Sequence, residues 1–242
     1  TDPPGPMDPA RGRTGQDTVA NPTPGASMPS HDAGPARTLS GSTLWSRWLV
    51  TVTVAETLGF LAPAVVGAAL ADAPDTVLAP ALVAAGLVEG TLLGAGQAAV
   101  ARRVLPGLPV ARFVALTAGA AAFAYAVAMV PVLLGPRLTA LPWPVVGLLG
   151  LVLASLLLGS IGTAQWWVLR HELPGAGMWV PATAASWTAG LLAFLGVATP
   201  LWQPGQPLAL TVAIGALGGL VMAAVVAALT GAAFVRLVRP RR

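Results

Sequence analysis

Two carboxyls and two carboxamides stand inside otherwise apolar sequence: Glu56 in VTVAETLGF, Glu89 in AGLVEGTLL, Gln97 in GAGQAAVARR and Gln165 in GTAQWWVLRH. A carboxyl in such surroundings can hold a proton, bind a cation or act as a general acid, and an amide donates and accepts hydrogen bonds at once. Of the nine acidic residues, Asp2, Asp8, Asp17 and Asp32 fall in the N-terminal segment, Asp72 and Asp75 in one polar break and Glu172 in another, leaving only Glu56 and Glu89 inside long apolar runs. Glu56 lies eight residues beyond Trp48, and Glu89 thirteen before Arg102. Both then sit toward the middle of a bilayer, on consecutive helices that can face each other. A charge at that depth costs ~2.5–3.5 kcal/mol, and no Arg or His stands at that level to pair with it. The expected state is neutral, hydrogen-bonded to Thr57, Thr91 or a backbone carbonyl, or turned to a hydrated cavity. Such groups tie helices together, carry a proton or ligand, or serve as an acid in catalysis.

Other catalytic constellations are missing from the sequence. Ser160, in GSIG, is flanked by glycine like the serine of intramembrane proteases, but that chemistry needs a histidine within ~3 Å. The two histidines are His31, near the N-terminus, and His171, eleven residues beyond Ser160, which is ~16 Å along one helix. The absence of Lys and Cys removes Schiff-base and thiolate chemistry as well as disulfides and zinc–thiolate sites. No paired aspartates for Mg²⁺–diphosphate chemistry and no His cluster are present. No catalytic residue, metal or cofactor is assigned, and the reading leans away from an enzyme.

The elements that must position these groups follow from composition. The 242 residues are 55% hydrophobic and 9% charged, with a mean hydropathy of +0.76, against about 25% charged in a soluble domain. Apolar runs at 47–70, 78–101, 112–134, 143–169, 178–199 and 208–235 each approach the ~20 residues that cross a bilayer. The breaks between them (ADAPD, LPGLP, GPR, LPGAG and TPLWQPGQP) carry helix-stopping residues. Residues 1–43, rich in Pro and Gly and poor in large apolar side chains, read as a disordered tail. No apolar stretch before Leu44 suits a signal peptide. The expectation is an all-α integral membrane domain over 44–242, with six transmembrane helices.

Twelve of the thirteen basic residues, all Arg, fall in the N-terminal segment, the second and fourth breaks and the C-terminus; only Arg137 falls on the other side. That bias places both termini in the cytoplasm of a bacterial inner (plasma) membrane protein. It also removes nucleic acid as the leading partner, because a basic rim on the cytoplasmic face attracts anionic lipid headgroups. Arg102 and Arg170 are read as interfacial anchors, and Trp166 and Trp167 as part of an aromatic belt.

The polar groups recur. Gln97, Arg102 and Leu105-Pro106-Gly107 match Gln165, Arg170 and Leu173-Pro174-Gly175 at an offset of 68, and Arg236 follows at 66 with Gly231 in place of the glutamine. Trp48, Phe113 and Trp179 open the odd spans, followed eleven residues later by Gly59, Ala124 and Gly190. Three parallel two-helix repeats over 47–103, 112–170 and 178–236 account for this register. The paired small residues Gly86/Gly90/Gly94, Ser155/Gly159 and Gly215/Gly219 predict close helix packing, with the even spans forming the inner contacts.

The segments GTAQWWVLRHELPGAGMWVPATAASW and GAGQAAVARRVLPG resemble bacterial six-span membrane proteins in which a G-x-x-Q-W-x-V-L-R segment precedes a Trp-rich span. The resemblance covers about residues 45–240 and implies a fold and topology, but no activity. Those proteins often carry Asn in the fifth span, where this chain has Thr183. Three functions fit the residues: a transporter or channel-like protein for a small or lipophilic solute using Glu56, Glu89, Gln97 and Gln165; a lipid-binding or scaffold subunit; or an intramembrane enzyme acting on a lipid or isoprenoid. A hydrated path past both glutamates indicates the first, a dry bundle the second, and a closed apolar pocket at one glutamate the third. Membrane lipids are the expected partners, with a small solute on the first reading and a homo-oligomer compatible with all three.

Overall fold

A computed structural model describes residues 40–239. The tail read as disordered lies almost wholly outside the described residues. The described residues form seven α-helices: α1 (Gly41–Ala69), α2 (Asp75–Ala101), α3 (Val110–Leu134), the single turn α4 (Pro136–Thr139), α5 (Trp143–Leu169), α6 (Trp179–Leu201) and α7 (Leu208–Val238). Among the described residues, six are long and apolar enough to cross a membrane, so the chain is a multi-pass membrane protein. Lipid cannot satisfy backbone polar groups, which leaves unbroken helices as the available spanning form here.

The helix starts follow from local chemistry. Pro74, Pro142 and Pro207 stand immediately before α2, α5 and α7, with φ near −57° and ψ near 140°. Their fixed φ and missing N–H suit the position just outside a helix. α1 starts six residues ahead of the sequence-read boundary because Ser40 Oγ accepts from the Thr43 amide at 3.2 Å, a side-chain cap. After α5, Gly175 turns the chain at φ 77°, a conformation that side chains with a Cβ resist.

Each long helix packs on the next, and α7 returns to α1, closing a ring in chain order. Three of its seams join neighbouring hairpins: α2 with α3, α5 with α6, and α7 with α1. The first two are built alike. A Cβ on Gly94 would meet Val114 Cα at 3.2 Å and Thr117 Cβ at 3.0 Å, and one on Gly162 would meet Val180 Cα at 3.1 Å and Thr183 Cβ at 3.2 Å. At the third seam Trp45 Nε1 donates to the Ala228 carbonyl at 3.0 Å, and the Trp45 and Trp48 rings lie against Gly231.

The expectation that even spans form the inner contacts holds for α2 and α7, the two most buried helices, and fails for α5. α5 buries only Ile161, Gly162, Gln165, Val168 and Leu169, all at its arginine-bearing end, whereas α3 is buried from Phe113 to Val127. Gly159 and Gly215 face open space within 4 Å, and Ser155 turns its hydroxyl back onto the Leu151 carbonyl. The small-residue spacing is used on α2, where Gly90 meets Ala118 and Ala121 of α3. Small residues permit close approach only where a neighbouring helix arrives. The first half of α5 has none so close, so its Leu-rich face is left to lipid.

Candidate functional site: a central cavity between a vestibule and a polar floor

All six spanning helices line one central cavity of about 200 Å³. Its walls are apolar, from Phe60, Leu93, Ala121, Leu157, Trp187 and Met222 among others, and its ionisable members are Glu89 and Tyr125. Tyr125 Oη donates to Glu89 Oε2 at 2.7 Å. Gly86, one turn before Glu89, makes this pair possible, because a Cβ there would overlap the Tyr125 ring. Tyr125 is the only tyrosine in the chain, and the sequence reading missed it. A lone phenol within an apolar span was the available signal.

Glu56 and Glu89 are both buried, at 0% and 4% exposure. They meet across the α1–α2 seam, where Gly59 lies close enough that a Cβ would stand 3.0 Å from Glu89 Cα. The structure brings the two carboxyls together, but gives them different surroundings. Glu89 forms part of the cavity wall; Glu56 stands behind it, and neither of its oxygens has a hydrogen-bond donor other than the neighbouring Glu89 carboxyl. The partners expected from sequence are not used. Thr91 donates to the Leu87 carbonyl of its own helix at 2.7 Å, and Thr57 Oγ1 has no partner. Thr91 takes the bond to its own helix that is open to any helical threonine.

The two glutamines form the floor. They lie eight residues from the Glu89 level on their own helices, about 12 Å toward the arginine-bearing end. Gln165 Nε2 donates to Gln97 Oε1 at 2.6 Å and to Thr117 Oγ1 at 3.1 Å, and Gln165 Oε1 accepts from Trp179 Nε1 at 2.8 Å. Trp48 repeats the Trp179 arrangement on the third seam, donating to Thr230 Oγ1 at 3.1 Å. Trp48 stacks on Phe234 at 4.4 Å between ring centroids and meets Trp179 edge-on at 6.0 Å. These side chains are fully buried. They close the bundle toward its arginine-bearing end. Thr183, the fifth-span residue singled out by the resemblance, is buried with its hydroxyl unpartnered.

Outside the floor, Arg170 lies over the Trp167 ring at 3.7 Å and over Trp166 at 5.3 Å, an exposed cation–aromatic cluster at a helix end. Arg102 is exposed at the end of α2. Ser160 donates to the Leu157 carbonyl and takes no part in the cavity wall.

Toward the other end, α1, α6 and α7 line a wider vestibule of about 930 Å³ that includes Asp72, Trp202, Gln203 and Gln206. Phe60 belongs to both spaces. It meets Phe194 edge-on at 5.6 Å, and Gly219 and Gly218 leave room for these two rings. Among the described residues the arrangement gives no continuous path past both glutamates and is not a void-free bundle. It comes nearest to an apolar pocket at one glutamate, but one that shares Phe60 with the vestibule. It is a small apolar chamber with one carboxyl–phenol pair, an aromatic partition on one side and a hydrogen-bonded floor on the other. Compared with known proteins, the chain matches no family model, no curated protein and no solved structure, so the resemblance to six-span bacterial proteins adds no residue assignment to this geometry.

Proposed function

We propose that the protein moves a small or lipophilic solute across the membrane through the central cavity, and that the structure represents a state closed at the arginine-bearing end. The observation that carries this reading is the cavity itself, to which all six spanning helices contribute and which shares Phe60 with a vestibule at the opposite end. A scaffold has no use for a chamber at the convergence of its helices, and an unfilled volume of this size lowers stability. Binding sites are concave and largely apolar, with few well-placed polar groups; Glu89 and Tyr125 supply them here.

The ring reads as three copies of one hairpin arranged about an axis along the membrane normal. The matched contacts of Gly94 and Gly162, at the offset of Gln97 and Gln165, support that reading. The arginine distribution supports an orientation with both termini in the cytoplasm, which makes the vestibule face outward.

The apolar cavity bounded by one glutamate also favours a second reading, an intramembrane enzyme using Glu89 as an acid on a lipid or isoprenoid. Liposomes containing the purified protein distinguish the two. Transport predicts uptake of benzyl alcohol, benzoate or benzyltrimethylammonium beyond that of protein-free liposomes, with the solute unchanged. Chemical conversion of added lipid without uptake supports the enzyme. The absence of both uptake and conversion overturns the transport reading.

A further inference from the structure

We infer that the central cavity binds a small organic monocation, a benzyl-sized ammonium, with the Glu89 carboxylate as its counterion; this deepens the solute-carrying reading and rests on it. Among the described residues, Glu89 is the carboxyl in the cavity wall and Asp72 the charged residue in the vestibule wall, and neither wall contains Arg, Lys or His. An anion would meet only like charge. A neutral apolar solute gains nothing from a carboxyl whose burial is costly.

The local hydrogen bonding points the same way. Tyr125 donates to one oxygen of Glu89 and so orients the carboxyl without supplying a countercharge; the bound cation is the partner that allows Glu89, otherwise neutral at this depth, to ionise. Behind Glu89, both oxygens of Glu56 lack a donor from any group other than the neighbouring Glu89 carboxyl. The titratable groups facing this point are Glu56 from α1, Glu89 from α2 and Tyr125 from α3. The cavity-lining residues of α5, α6 and α7 are Leu157, Ile161, Trp187, Leu191 and Met222, none of which titrates.

The walls select an organic ion over a bare metal. Ca²⁺ takes six to eight oxygen ligands, and Mg²⁺ an octahedron, whereas this wall offers one carboxyl and one phenol. Phe60, Tyr125 and Trp187 instead present aromatic rings around the cavity, and aromatic faces attract ammonium groups. A dry cavity of ~150 Å³ accommodates benzene, so about 200 Å³ suits one ring with a compact ammonium head.

Benzyltrimethylammonium and its uncharged isostere neopentylbenzene test the inference, with equilibrium dialysis of labelled benzyltrimethylammonium against the full-length protein in detergent. Expected are saturable binding, competition by neopentylbenzene weaker by about tenfold or more, and a similar loss of affinity in Glu89→Gln. Ser155→Ala, outside the cavity, retains wild-type affinity. Equal competition by the neutral isostere overturns the inference and requires no variant to fold; so does unchanged affinity in a monodisperse Glu89→Gln protein. Binding with no uptake into liposomes contradicts transport but leaves the cation site standing. Uptake of neutral solutes with no preference for the cation does the reverse.

Discussion

Gln165 donates its side-chain amide to Gln97 at 2.6 Å, across 68 positions of sequence. The same amide group accepts from Trp179, so one residue joins α2, α5 and α6 at the base of the cavity. Replacing Gln165 with Leu leaves the Trp179 indole N–H buried without an acceptor. The expected cost is about 1–2 kcal/mol of stability in detergent unfolding. Gln97→Leu costs less, because Gln165 Nε2 keeps Thr117. The reverse order contradicts the bonding described here.

Glycines of one residue type separate by what they face. Gly94→Leu and Gly162→Leu force a side chain into the backbone of the next helix, within 3.3 Å of Val114, Thr117, Val180 or Thr183 atoms, and lose about 1–3 kcal/mol by overpacking. Gly159→Leu and Gly215→Leu have open space and leave the thermal midpoint near that of wild type. Similar losses at all four positions would show that α5 and α7 pack more closely than this ring allows.

The spans were legible in the sequence because bilayer thickness fixes helix length and prolines mark the starts. The bounds of α5, between Pro142 and Arg170, coincide with the span read from sequence, and the largest difference is the six-residue earlier start of α1. The recurrence of Gln97 and Gln165 was legible too, but not that the two side chains bond to each other. Their meeting depends on ring closure, which no local pattern encodes. The Glu89–Tyr125 pair was hidden for a related reason. It links residues 36 apart through the space left by Gly86, whereas the reading sought partners on the glutamates' own helices.

Phe60 and Phe194 divide the vestibule from the cavity. Phe60→Ala therefore raises the rate at which reagents reach the chamber, and the Phe60→Ala/Phe194→Ala double variant raises it further. A cysteine placed at Leu191, in the cavity wall, reads this directly in the cysteine-free chain. Unchanged labelling in both variants would mean that access lies elsewhere.

Orientation is tested at two exposed positions on opposite ends, Ala71 and His171. In intact cells a membrane-impermeant maleimide labels Ala71→Cys, and it reaches His171→Cys only after permeabilisation. Labelling of His171→Cys alone in intact cells inverts the topology.

The central claim is that the chamber is a solute site reached from the vestibule and closed by the glutamine–tryptophan floor. Its most direct test is a single cysteine at Ala128, in the cavity wall, exposed to a small impermeant thiosulfonate from each side of sealed vesicles of known orientation. The account predicts labelling from the vestibule side, protection by benzyltrimethylammonium, and none from the arginine-bearing side. Labelling through the arginine-bearing end, or from neither side in a folded protein, would contradict it.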